Sequence, residues 1–167
     1  MMILRYALSI AILPFAVTVI VPIWIGRRVD LEFGAAASIP TLLVQILGIV
    51  VMIVGASLFV ASLRQFAVEG KGTLAPWDPP RRLVVQGPYR YVRNPMISGV
   101  VFVLIGEALL LRSEAHAIWA GIFLAANVIV ITLYEEPHLE QVFGDAYLTY
   151  CTHVPRVIPR LSAWRPE

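Results

Sequence analysis

Charge and sulfur are scarce in this sequence. Charged residues are 14% of its 167 positions, where an average soluble domain carries about 25%. Cys151 is the only cysteine, so no intramolecular disulfide and no cysteine-based zinc site can form. His116, His138 and His153 fall at no metal-ligand spacing, and no metal is expected. The formal net charge is only +2, which offers nucleic acid no concentrated basic surface. Phosphate-binding glycine motifs are missing as well: Gly70-Lys71-Gly72 is a bare G-x-G, without the glycine that would complete a dinucleotide fingerprint. Neither an internal repeat nor a low-complexity tract is present.

Apolar residues are what the chain has in excess. They make up 59%, and the mean hydropathy is +0.78, which excludes a disordered chain, a coiled coil and an ordinary soluble globule. The class that remains is an all-α integral membrane helical bundle, with residues 1–167 forming a single domain. A helix needs about 20 apolar residues to cross the hydrocarbon. Runs over 4–25, 41–63, 96–111 and 115–134 predict about four transmembrane helices. Pro14 and Pro22 interrupt the first run, but proline is tolerated where neighbouring helices satisfy the freed carbonyls. This run is long for a leader, and charged residues separate it from Ala35-Ala36-Ala37, so it is expected to be a retained span. Glu107 lies near the outer end of the third run, within reach of the interface or of Arg112, and Asn127 in the fourth suits a hydrogen bond between helices.

Lysine and arginine placement orients the spans. One side, with the N-terminus, the loop 64–95 and the tail 135–167, carries Arg5, Arg64, Lys71, Arg81, Arg82, Arg90, Arg93, Arg156, Arg160 and Arg165. The other carries Arg27, Arg28 and Arg112. Both termini, the loop and the tail are therefore expected in the cytoplasm. Pro76, Pro79, Pro80, Pro88 and Pro95 bar a continuous helix from the loop, and Trp77, Tyr89 and Tyr91 argue against disorder. In the tail, Leu139, Phe143, Tyr147, Tyr150 and Val154 recur at spacings of four, four, three and four, one face of a helix. Pro137 suits its first turn, with Glu135 and Glu136 just ahead where the helix dipole favours negative charge. Pro155 and Pro159 end it, so the tail is predicted as a cytoplasmic amphipathic C-terminal helix followed by an extended segment.

Residues 87–99, GPYRYVRNPMISG, resemble the signature G-x-Y-x-x-x-R-H-P-x-Y-x-G of the isoprenylcysteine carboxyl methyltransferase family and its bacterial relatives. The tail resembles the family's second signature through Glu135-Glu136, Leu139, Phe143-Gly144, Tyr147, Tyr150, Val154-Pro155 and Ile158-Pro159. The blocks keep the family's order, are separated by a membrane hairpin and cover roughly the C-terminal half. Two positions depart from the signature. Asn94 stands for the histidine, and Ile97 for the aromatic residue after the proline. Asparagine still donates and accepts hydrogen bonds but does not titrate near neutrality.

The resemblance implies an integral membrane methyltransferase dependent on S-adenosylmethionine, phospholipid methyltransferase-like, in a bacterial inner membrane. Its cofactor pocket would lie at the cytoplasmic ends of the last helices and the tail, with a lipophilic acceptor entering from the bilayer. The acceptor stays open among an isoprenylcysteine-type carboxylate, an isoprenoid or quinone-like lipid, a phospholipid amine and a small thiol. Methyl transfer is an in-line displacement at a sulfonium carbon, so the protein must grip the zwitterionic methionine end and align the nucleophile. Arg93 is a candidate catalytic residue that orients an anionic group, and with Arg156 a candidate for gripping the cofactor carboxylate. Glu135 is the candidate base for a nucleophile that carries a proton, and Glu135 or Glu136 would accept from the ammonium. Tyr89, Tyr147 and Tyr150 would line the adenosine pocket or lie near the sulfonium as cation–π partners. Asn94, Pro95 and Gly99 would complete the cradle, Gly99 by admitting backbone close to the ligand. Each of these residues also has a plainer reading. Arg90 and Arg93 suit juxtamembrane charges, Glu135 and Glu136 a helix start, and Tyr147 and Tyr150 an interfacial belt. Two other functions stand beside the enzyme: a non-catalytic membrane scaffold or subunit, and a membrane reductase with a related helical core.

Overall fold

The computed structural model of the chain describes residues 13–29, 38–69 and 83–165. Among these residues every regular element is helical, and no strand is present. The helices are α1 at Leu13–Gly26, α2 at Ile39–Glu69, α3 at Pro95–Leu111, α4 at Glu114–Phe143 and α5 at Asp145–His153. A 3-10 turn at Gly87–Arg90 precedes α3. Residues 4–12 of the first expected span and 70–82 of the expected loop, with Arg5, Lys71, Arg81 and Arg82, lie outside the described residues.

The stretch Ile39–Phe66 of α2 and the whole of α4 are long and apolar enough to cross a membrane. Their large side chains face outward: Leu43 is 61% exposed, Ile53 60%, Ile118 63% and Leu133 62%. Such faces suit hydrocarbon rather than water. α1 and α3 are shorter apolar helices. With its 17 residues α3 rises about 25 Å, against a hydrocarbon thickness of about 30 Å. α2 runs past the expected start of the loop at residue 64 to Glu69, because nothing before Gly70 breaks a helix.

The chain divides into two compact units, one drawn from Met1–Ala56 and Val100–Phe123, the other from Ser57–Gly99 and Leu124–Glu167. In the first, α2 and α3 meet backbone to backbone. A Cβ on Gly48 would lie 2.7 Å from the Gly106 carbonyl oxygen, and one on Gly106 would lie 2.6 Å from that of Gly48. Only residues without a side chain allow this approach. α1 contains a π-helical turn, Ala16–Ile20, in which the Val21 N–H reaches the Ala16 carbonyl. Pro22 comes next and has no N–H for the following carbonyl in that series, Val17. The indole Nε1–H of Trp119 supplies the missing donor at 3.1 Å. His116 is 1% exposed. Its Nε2 donates to the Pro22 carbonyl at 3.2 Å, and its Nδ1 accepts from the Ser113 hydroxyl at 2.8 Å. The carbonyl is an acceptor only, which selects this tautomer. Glu107 does not pair with Arg112. Its Oε2 is buried without a hydrogen-bond partner, and the ion pairs among the described residues gather around Glu136.

The second unit repeats the backbone device. Ile131–Glu135 is a π-helical turn, the Glu136 N–H reaches the Ile131 carbonyl, and Pro137 comes next. A proline ring crowds the carbonyl four residues back, and widening the turn by one residue relieves it. α4 therefore runs through Pro137, where the sequence suggests that a new helix begins. The single amphipathic helix expected in the tail is instead interrupted at Gly144, whose φ of 55° and ψ of −133° suit glycine. α4 ends before it and α5 starts after it. Tyr147, Tyr150 and Val154 form a buried core, with Leu83, Val85, Leu139, Phe143, Cys151 and Trp164 packed against it.

Candidate active site

The two motif blocks meet inside the second unit. Gly87 opens the first with φ +57°, and its missing Cβ leaves room for the Gln65 side chain, which would otherwise lie 3.2 Å away. The Tyr91 N–H bonds to the Pro88 carbonyl, and Val92 is fully buried at 0%. Pro155 cannot continue α5, and the chain returns beside the first block. The Arg93 N–H donates to the Pro155 carbonyl at 2.8 Å, and the Asn94 N–H to that of Arg156 at 3.2 Å. Further out, the Arg160 N–H donates to the Tyr91 carbonyl and the Trp164 N–H to that of Arg90, each at 3.0 Å. Arg90 Nε donates back to the Trp164 carbonyl at 2.6 Å. This main-chain zipper fixes the second block against the first.

An ion cluster lies on that zipper. Arg156 grips Glu136 with both ends of its fork, Nε to Oε1 at 2.8 Å and Nη2 to Oε2 at 2.7 Å. Arg93 Nη1 lies 2.9 Å from Glu136 Oε1 and also donates to the Cys151 sulfur. The side chains of Arg93 and Glu136 are only 12% and 17% exposed, and that of Arg156 is 34% exposed. Two guanidiniums share one carboxylate. Arg93 Nε is buried without a partner. The bonds to Glu136 raise the Arg156 pKa above its ordinary value, so this fork stays charged.

Around the cluster, burial pushes the tyrosine hydroxyls above their ordinary range. For Tyr89 the nearby Glu135 carboxylate adds to burial, and for Tyr147 the Cys151 thiol does. Burial also dominates for Tyr150, whose hydroxyl donates to the Tyr89 carbonyl at 2.6 Å. All three stay neutral at physiological pH and act as donors or packing surfaces.

The structure brings Arg93, Glu136 and Arg156 together and leaves Glu135 exposed at the end of the π turn, outside the cluster. Asn94 holds the tail: its Nδ2 donates to the Arg156 carbonyl at 3.3 Å. Pro95 is the first residue of α3 and is buried, as is Gly99 one turn later. Tyr89, Tyr147 and Tyr150 sit in the aromatic core under the cluster, with Tyr150 and Trp164 rings 5.7 Å apart. Sequence reasoning passed over Ser98, Cys151 and Trp164. Ser98 and Trp164 stand at positions the motifs do not specify, and a lone cysteine gives no spacing signal.

A carboxylate that bridges two guanidiniums, with a further buried donor beside it, carries the complementary charges that an α-amino-carboxylate zwitterion requires. Residues 43–146, more than half of the chain, match the family model described as phospholipid methyltransferase. Among curated proteins, the chain is 31% identical over 78 residues to protein-S-isoprenylcysteine O-methyltransferase B of Arabidopsis thaliana, covering 47% of this chain and 40% of that protein. It is 33% identical over 87 residues to phosphatidylethanolamine N-methyltransferase 1 of Vanderwaltozyma polyspora, covering 52% of this chain and 10% of that protein. The chain thus spans less than half the length of these relatives. No solved structure matches the chain.

Proposed function

The chain belongs to the phospholipid methyltransferase family, and from that premise we propose that it is an integral membrane methyltransferase that uses S-adenosylmethionine. The observation that carries the reading is the Arg93–Glu136–Arg156 cluster, which joins the two motif blocks. Arg93 and Arg156 hold the cofactor's carboxylate, the buried Arg93 Nε being a donor ready for it. Glu136 accepts from its ammonium. Bound there, S-adenosylmethionine supplies the methyl group. Tyr89, Pro95, Gly99, Tyr147 and Tyr150 form the wall of the same site, Asn94 fastens the tail beside it, and the dryness and fixed dipoles of the site favour the displacement.

The acceptor is lipophilic. The relatives' names point to an isoprenylcysteine carboxylate or a phospholipid amine, and an isoprenoid or quinone-like lipid or a thiol presents the same kind of nucleophile. Glu135, exposed beside the cluster, takes the proton from an acceptor that carries one, and a carboxylate acceptor needs no base. The four apolar helices span the membrane in this reading, as one domain over residues 1–167, with both termini on the cytoplasmic side of a bacterial inner membrane.

Equilibrium binding of S-adenosylhomocysteine to the detergent-purified protein tests it. Wild type is expected to bind saturably. Arg93→Ala and Glu136→Ala, each verified as folded, are expected to lose about 100-fold in affinity, because each removal leaves a partly buried charge without its partner. Folded wild-type protein with no saturable binding would sink the cofactor assignment and favour the scaffold.

A further inference from the structure

Three consecutive carbonyls of the returning tail are held by one short stretch of the first motif. The Arg93 N–H takes Pro155 at 2.8 Å, and the Asn94 N–H and Nδ2 both take Arg156, at 3.2 and 3.3 Å. The Ser98 hydroxyl takes Val157 at 2.6 Å. Ser98 is fully buried at 0%, in the first turn of α3. Its hydroxyl also lies 3.0 Å from the Asn94 carbonyl, but that carbonyl already accepts the Ser98 N–H at 3.0 Å. The single hydroxyl proton therefore belongs to Val157, at the shorter distance. Arg156 is thus fastened through its own carbonyl by Asn94, and through the next carbonyl by Ser98. Its side chain meanwhile makes the two-pronged bond to Glu136.

We propose that Ser98, with the Asn94 amide, is a positioning residue that sets the Arg156 guanidinium against Glu136 by holding the main chain on both sides of it. The proposal rests on the reading of this cluster as the cofactor's zwitterion site. It explains why a buried hydroxyl occupies a position that the G-x-Y-x-x-x-R-H-P-x-Y-x-G signature leaves open. It also gives Asn94 a task that its amide N–H performs without titrating. A guanidinium fork loses two-pronged recognition when its anchor shifts by a fraction of an ångström, so the effect falls on the charged end of the ligand and not on the adenosine end.

Two probes separate these ends. S-adenosylhomocysteine carries the amino-carboxylate, whereas 5′-methylthioadenosine keeps the adenosine and thioether without it. Ser98→Ala is expected to weaken S-adenosylhomocysteine binding about tenfold and leave 5′-methylthioadenosine binding unchanged. Asn94→Ala, which keeps the main-chain bond and removes only the side-chain donor, is expected to lose about threefold on the first probe alone. It serves as the test if Ser98→Ala does not fold. Parallel loss of both probes, or loss of neither, overturns the positioning role while the cofactor site stands. Wild-type protein that binds neither probe overturns the cofactor reading and this inference with it.

Discussion

Both units contain a π-helical turn followed by a proline, and they use it differently. At Pro22 the polar groups of the turn are closed off inside the fold: Trp119 caps the Val17 carbonyl, and His116 closes on the Pro22 carbonyl. At Pro137 the turn ends in two carboxylates, Glu135 exposed and Glu136 seated between Arg93 and Arg156. A π turn inserts one residue into the helix and rotates the residues beyond it by about 100°. In the first unit that rotation is absorbed by packing. In the second it decides which of two adjacent glutamates meets the arginines. The same response to proline packs the fold where its neighbours are an indole and an imidazole, and seats a carboxylate between two guanidiniums where they are charged.

The contrast breaks most severely at the glycine crossing of the first unit. Gly106→Leu would drive a side chain into the Gly48 carbonyl and Met52. It is expected to destabilise the protein by about 3 kcal/mol, read as a lowered Tm in detergent, with cofactor binding lost only as the fold is lost. A variant of wild-type stability would mean that the helices do not pack through this contact. The second unit should respond the other way to Pro137→Ala. Restoring the N–H lets the turn relax to an α-helix and swings Glu136 off the arginines. S-adenosylhomocysteine affinity should then drop about tenfold while Tm holds or rises. Unchanged affinity would separate the π turn from the register of Glu136. The smallest effect is expected for Trp119→Phe, which removes the donor to Val17. It should lower stability by about 1 kcal/mol in chemical denaturation and leave ligand binding untouched. Weakened binding there would erase the distinction between the two turns.

The sequence made the apolar helices legible, because long runs of Leu, Ile and Val leave hydropathy little to confuse. It also exposed both motif blocks. The pairing of their charges was not legible. Glu136 and Arg156 were candidates for opposite ends of one ligand, and nothing in a linear pattern says that they bind each other across 20 residues. Choosing between Glu135 and Glu136 required the π turn, and a proline in sequence reads equally as a helix start. Tyr147 and Tyr150 lay on one predicted face and do share a core, but the bond from Tyr150 to the Tyr89 carbonyl depends on tertiary geometry alone. The Gly48–Gly106 crossing left no trace because glycines are unremarkable in an apolar helix.

The zipper between the motif blocks carries a consequence for timing. Arg90 and Trp164 are 74 positions apart in the chain, and Asn94 and Arg156 are 62 apart. Contacts between distant positions form late. During synthesis the apolar helices of the described residues are made while Glu136 has only Arg93 to answer it, and the second guanidinium arrives 20 residues after Glu136. A chain cut after Pro155 would keep the helices of the described residues and leave the ion cluster half built. The short segment after Pro155, and not the long apolar body, completes the charge pairing of the cluster.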